Sequence, residues 1–192
     1  MTHKLQNKVS IRLKSGGHSF SASELSTIAG VESVEVVVLT AKTALVPAEV
    51  FSAEHAASYL VDMGLSPAAN ECIVCSENRN RIVAVMAISR ECFDALQRAN
   101  VGVSYTSPLV DNDSMEQGSV LMLENDLLYV RVYNEGLRFA EVMECGSDAD
   151  VLYYLSVVNE AYNIYNMHAR AKGDVARLKR VCKGLFKELL CE

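Results

Sequence analysis

The sequence predicts an α/β (α+β) protein of two lobes, each a meander of β-strands followed by a helix. Three observations predict it. A run in which apolar and polar residues alternate with period two opens the first half, and three strand-like runs open the second. In each half a helical stripe follows, with apolar residues three and four apart. Between the halves lies the most polar connection in the chain, residues 107–118, with Pro108, Asp111, Asn112 and Asp113. It separates a first lobe, residues 1–106, from a second, residues 118–192. At 192 residues, half of them hydrophobic and 22% charged, the chain is long and apolar enough to bury a core.

The first element is a strand with Val9, Ile11 and Leu13 on one face and Lys8, Ser10, Arg12 and Lys14 on the other. Gly16-Gly17 supply the positive φ of a hairpin turn, and a second strand runs through Phe20. Residues 34–39 are β-branched and nearly continuous, which predicts a central strand buried on both faces. Residues 43–46 extend this region until Pro47 ends it. Ser52 is placed to cap a helix whose stripe is Ala56, Ala57, Tyr59, Leu60 and Met63, stopped by Gly64. Residues 71–76 and 81–87 read as strands around a polar turn at 77–80. Residues 89–99 read as a helix through Cys92, Phe93 and Leu96, and residues 101–105 as a short strand.

The second half opens with three strand-like runs, residues 119–123, 127–133 and 137–144, joined by turns at 124–126 and 134–136. This is an antiparallel meander. Gly146-Ser147-Asp148 begins a helix with Asp150 three residues after Ser147, the spacing of a capping box. Its buried stripe is Val151, Leu155, Val158 and Tyr162. A last helix is expected over residues 174–190, lined by Val175, Leu178, Val181, Cys182, Leu185, Phe186 and Leu189.

Composition excludes several classes of function. A net charge of −6 gives no general pull toward nucleic acid or anionic lipid. No apolar run approaches the roughly 18–20 residues of a membrane helix, so no membrane insertion is expected. The opening MTHKLQNKVS has no apolar core of signal-peptide length. The expected compartment is the cytoplasm, with six cysteines in no disulfide-framework spacing.

Two lobes of a three-stranded meander followed by a helix are the ground plan of the actin-like, or ribonuclease H-like, ATPase fold. Three stretches strengthen the likeness: KVSIRLKSGGHSFSAS, ALVPAEVFSAEHAASYL and LLYVRVYNEGLRFAEVMECGSDADVLYYL. They resemble, with gaps from residue 5 to residue 163, an uncharacterised bacterial domain-of-unknown-function family with an actin-like ATPase fold. That family's fold is similar to the assembly proteins of type II secretion and type IV pili, which use it to bind other proteins. The resemblance implies a fold and no activity. It also implies that the second lobe stops short of its final strand and helix pair after residue 163.

Working actin-like ATPases place an Asp beside Gly on the first hairpin. Here Arg12 and Lys14 stand instead, and no carboxylate precedes Glu24. Gly16 and Gly17 could offer backbone N–H groups to an anion, but Mg²⁺ would find no carboxylate on this hairpin. The matching second-lobe turn has Glu124 and Asp126 but no glycine to let a phosphate approach. No glycine pair follows the second-half helix, where an adenosine pocket would form. Without a first-strand Asp, a two-metal nuclease site has no starting ligand. Cys72 and Cys75 have Cys-x-x-Cys spacing, but on a strand they point to opposite faces, so no metal is expected. His18, beside the glycines, has no acid or nucleophile partner legible in the sequence.

The basic residues Arg170, Lys172, Arg177, Lys179, Arg180, Lys183 and Lys187 concentrate near the end of the chain. No aromatic interleaving supports base stacking, which argues against nucleic acid. Adjacent Tyr153 and Tyr154 cannot both face a core, so one of them meets solvent, a neighbour or a partner. The expected function is a non-enzymatic interaction or scaffold protein on a degenerate actin-like fold, with no cofactor. Its expected partner is a protein, a second copy included, touching Tyr153, Arg177, Arg180 and Lys183. The alternative is an actin-like protein with residual ATP affinity through Arg12, Lys14, Gly16, Gly17, Glu124 and Asp126.

Overall fold

The longest unbroken apolar run of the first half forms β5 (Ile82–Ser89), on which the first unit is built. A computed structural model describes residues 8–14, 32–99, 102–113 and 115–192, and it divides into two compact units, Met1–Asp111 and Asn112–Glu192. In the first, β5 pairs antiparallel with β3 (Thr43–Pro47) on one side and β4 (Glu71–Cys75) on the other. Both faces of β5 are buried. Val85 and Ala87 pack with Ala44, Val46 and the helix α1 (Ala56–Asp62) through Ala56 and Leu60. Ala84, Met86 and Ile88 pack with α2 (Arg90–Arg98) through Cys92 and Leu96. The Ser89 side chain caps α2 by accepting from Cys92 N.

A second sheet of this unit holds β1 (Lys8–Lys14), β2 (Ser33–Leu39) and β6 (Gly102–Thr106), all parallel, in the order β1-β2-β6. The hairpin expected for β1 is with the strand through Phe20 and not with β2. The Gly16-Gly17 turn and the strand through Phe20 lie outside the described residues. Strand β2 is not buried on both faces. Val34, Val36 and Val38 are buried, whereas Glu35 on the opposite face is half-buried and holds Arg79 at 2.5 Å. In this unit the strand buried on both faces is β5. Residues 43–46 do not extend β2, because the chain turns at Thr40, whose carbonyl accepts from Thr43 Oγ1 at 3.0 Å, and enters the other sheet.

The second unit is one sheet in the order β11-β10-β7-β8-β9, with two helices on one face. The expected meander is present as β7 (Gln117–Glu124), β8 (Leu127–Asn134) and β9 (Leu137–Glu144). Helix α3 (Asp148–Tyr162) begins with the expected capping box, Ser147 accepting from Asp150 N and the Asp150 carboxylate accepting from Ser147 N. Asn163, in the left-handed conformation at φ 54°, ends it. Val151, Leu155 and Val158 pack on Leu121, Leu128 and Val130, and Tyr162 stays half-buried against Phe139.

The last thirty residues depart most from expectation. The chain does supply a further strand and helix pair: β10 (His168–Gly173), then α4 (Val175–Val181), then β11 (Glu188–Cys191). Strand β10 runs parallel to β7 and β11 parallel to β10. The expected helix over 174–190 therefore ends at Val181. Gly184, at φ 77°, adopts a backbone that a continuing helix forbids, and the apolar residues beyond it serve a turn and a strand. Leu178 is fully buried and Leu185 only half-buried.

Candidate functional site

Because β10 is parallel to β7, their C-terminal ends share one edge of the second unit's sheet. In open α/β sheets this is where ligands gather. Three pieces meet there. The first is the β7–β8 turn, where Asn125 and Asp126 both have positive φ, as a two-residue hairpin demands. The second is the start of α3, and the third is Gly173-Asp174 at the start of α4. Gly173 has φ 74°, and a Cβ on it would lie 2.2 Å from the Leu123 carbonyl oxygen. Only glycine lets β10 come that close to β7, and Asp174 N then donates to that same oxygen at 2.7 Å.

Arg177 ties the three pieces together. Its Nη1 donates to Asp126 Oδ1 at 3.1 Å and its Nε to Asp148 Oδ1 at 2.7 Å. Arg180 Nη2 donates to Asp148 Oδ2 at 3.0 Å. Asp174 caps α4, accepting from Arg177 N at 2.9 Å. The bonds from Arg177 and then Arg180 hold the Asp148 carboxyl below the usual carboxylate range. The bond to Asp148, with Asp126 behind it, raises Arg177 further above its already high value. The arrangement is an ion-pair lattice in which each guanidinium already has a carboxylate. An entering phosphate would meet Asp126, Asp148 and Asp174 as like charges. Nor is the α3 N-terminus offered to an anion, since Asp148 and Asp150 already answer its dipole.

The structure thus brings together three residues singled out in the sequence, Asp126, Arg177 and Arg180, but as members of one ion-pair lattice: Arg177 holds Asp126, and Arg177 and Arg180 both hold Asp148. Glu124 ends β7 at the same edge, half-buried. Lys183 is exposed in the turn after α4, and Tyr153 is exposed on α3, with Tyr154 edge-on to it at 5.3 Å. The basic run is dispersed over β10, α4 and the turn, not gathered on one helix face. Arg12 lies exposed on β1 of the first unit, Lys14 closes that strand, and Gly16, Gly17 and His18 lie outside the described residues. Cys72 packs into one core cluster and Cys75 into another, so the pair does not converge. Among the described residues no group of three or more His, Cys, Asp or Glu is placed to hold a metal, and no helix is long and apolar enough to cross a membrane.

Sequence reasoning missed a second polar cluster. Arg131, in the middle of β8, is buried on the face opposite the helices. Its Nη2 donates to Asp113 Oδ2 at 3.1 Å, and Lys172 donates to the same oxygen. The Tyr133 hydroxyl donates to the Asp113 carbonyl at 2.8 Å. Lys172 also meets Glu192 at 3.3 Å. The legible signal is one arginine inside the apolar run LLYVRVY. A buried charge requires an opposite one nearby.

No family model matches the chain, and no curated protein matches it. Solved structures do. A Bacteroides thetaiotaomicron protein with an actin-like ATPase fold and unknown function superposes with a TM-score of 0.69 at 15% identity, covering 85% of this chain and 69% of that one. The expected actin-like ATPase fold is therefore the observed one. The cytoplasmic domain of EpsL, an inner membrane component of the type II secretion system of Vibrio cholerae, superposes with a TM-score of 0.47 at 15% identity, covering 95% of this chain and 84% of that one.

Proposed function

We propose that this chain is a non-enzymatic protein-interaction module that keeps the actin-like ATPase fold without its nucleotide chemistry. One observation carries the reading: the Asp126–Arg177–Asp148–Arg180 lattice closes the sheet edge where a ligand would enter. To admit a triphosphate the protein would have to break these pairs and seat phosphate beside carboxylates. The glycine at this edge is already used, since the Leu123 carbonyl sits where a side chain or a phosphate oxygen would go. Gly146 leaves open space, but the nearest atom to its missing Cβ is a carboxylate oxygen of Asp150, at 3.9 Å. The cations of this edge serve as internal braces. What the chain has left to offer a partner is its surface.

The test is thermal denaturation with and without millimolar ATP and Mg²⁺. A ligand at 100 times its dissociation constant stabilises a fold by about 2.7 kcal/mol. For a chain of this length that is a rise of roughly 5–10 °C. The expected result is no rise. A rise of that size, lost in an Arg12→Ala or Gly17→Val variant that melts normally alone, would replace this reading with residual nucleotide binding.

A further inference from the structure

Helix α3 carries apolar residues on its outer as well as its inner face. Ten of its fifteen residues are Ala, Val, Leu or Tyr. A helix of that composition is normally enclosed, yet its outer face is open, with Leu152 at 40%, Tyr153 at 64% and Val157 at 46% exposure. Single exposed apolar residues need no explanation. These three stand together. Ala149, Tyr153, Val157 and Ala161 form an unbroken ridge at four-residue spacing, and all four are exposed. The ridge reads small, large, large, small, the same in either direction, with its midpoint at residue 155.

We propose that this face binds a second copy of the chain, α3 against α3, antiparallel about a two-fold axis that crosses the outer face at the level of residue 155. Charge decides for a second copy. Outward-facing Glu160 lies five residues beyond the midpoint, about 7.5 Å along the axis. Asp148, which holds Arg180 at 3.0 Å, lies seven residues before it, about 10.5 Å. An antiparallel crossing therefore sets Glu160 within about 3 Å, along the axis, of the level of the partner's Asp148 and the Arg180 attached to it. The Arg180 side chain is 67% exposed, and its guanidinium has donors for a second carboxylate. The two-fold axis makes this contact twice. Antiparallel helices also place each C-terminal end beside the partner's N-terminal end, which their dipoles favour. The interaction role supplies a purpose for this contact, but none of these observations depends on the nucleotide reading.

One helix pair with its flanks falls below the ~1,200 Å² of a stable interface, so association is weak and concentration-dependent. Sedimentation velocity on the full chain, from about 5 to about 500 μM, spans the affinity expected of such a contact. The wild type should pass from monomer to dimer over this range, and Val157→Glu should remain monomeric with an unchanged melting midpoint. Glu160→Lys should weaken the dimer about tenfold, and adding Arg180→Glu to it should restore association. A wild type that stays monomeric throughout overturns the proposal. So does a dimer that Val157→Glu leaves intact. Nucleotide binding in the thermal assay would sink the functional reading and leave this result unchanged.

Discussion

Replacing Asp113 by Ala should destabilise the second unit far more than replacing its buried partner Arg131 by Met. Arg131 is only 3% exposed, and it donates to the Asp113 carboxylate at 3.1 Å. Removing Asp113 takes away the carboxylate that Arg131 and Lys172 share. Breaking a buried pair from one side costs about 3–5 kcal/mol. Lys172 is 24% exposed and keeps Glu192 at 3.3 Å, so its share is small and the lower end applies. About 3 kcal/mol corresponds to a fall of roughly 6–12 °C in a chain of this length. Arg131→Met removes the buried charge together with its desolvation cost, and Asp113 keeps Lys172. The expected change is within about 1 kcal/mol. Urea unfolding at neutral pH measures both. Equal losses in the two variants, or an Asp113→Ala loss under about 1 kcal/mol, would refute the reasoning.

The same cluster fixes a pH dependence. Burial pushes the Asp113 carboxyl up, but the hydrogen bonds and charges of Lys172 and Arg131 outweigh it and leave it below its ordinary value. A depressed folded value means that the contribution is complete above the unfolded value, about 3.9, and is lost as pH falls through the folded one. Burial pulls Lys172 down, but Asp113 and Glu192 outweigh it and raise it. Its contribution is complete below about 10.4 and is lost as pH rises through the folded value. Between those limits this cluster adds no slope, and Asp113→Ala should flatten the acid limb.

Two further substitutions test the end of the chain. Gly173→Ala sets a Cβ 2.2 Å from the Leu123 carbonyl at φ 74° and should cost about 2–5 kcal/mol in urea unfolding, combining backbone strain with overpacking. Leu178→Ala, at a fully buried site, should cost about 2–5 kcal/mol, and Leu185→Ala, half-buried beyond the helix, clearly less; equal costs would return Leu185 to a continuous helix.

These positions mark where the sequence was legible. The meander β7–β8–β9 was readable because its three runs have strand length and are separated by turns with residues that tolerate positive φ, such as Asn125 and Gly136. The α3 capping box was readable because a cap is a local contact three residues long. The order of β1 and β2 was not, since period two marks a strand without saying which strand it pairs with. The run HARAKG hid β10. Its Ala169 and Ala171 are small because helices press on them, and the alternating Arg170 and Lys172 read as part of a basic run. A helical stripe carried past Gly184 hid β11, although a glycine there is itself a stop signal.

The site was half legible for a related reason. Charge type is written in the sequence, but charge partnership is written in the parallel pairing of β10 with β7. That pairing sets Gly173 against Leu123 and so delivers Asp174 and Arg177 to the turn at Asp126. Read one by one, Asp126 is a candidate ligand and Arg177 a candidate contact for a partner. Read together, each cancels the other's availability, and the surface left for binding shifts from the charged edge to the apolar ridge of α3. Arg180 belongs to both. It braces Asp148 on one side and stands exposed on the other. In the proposed contact it stands beside Tyr153 as a second residue that the sequence singles out for a partner. Arg180→Ala therefore separates two effects that Arg177→Ala confounds, since it should weaken association while the better-buried Arg177 still holds Asp126 and Asp148 together.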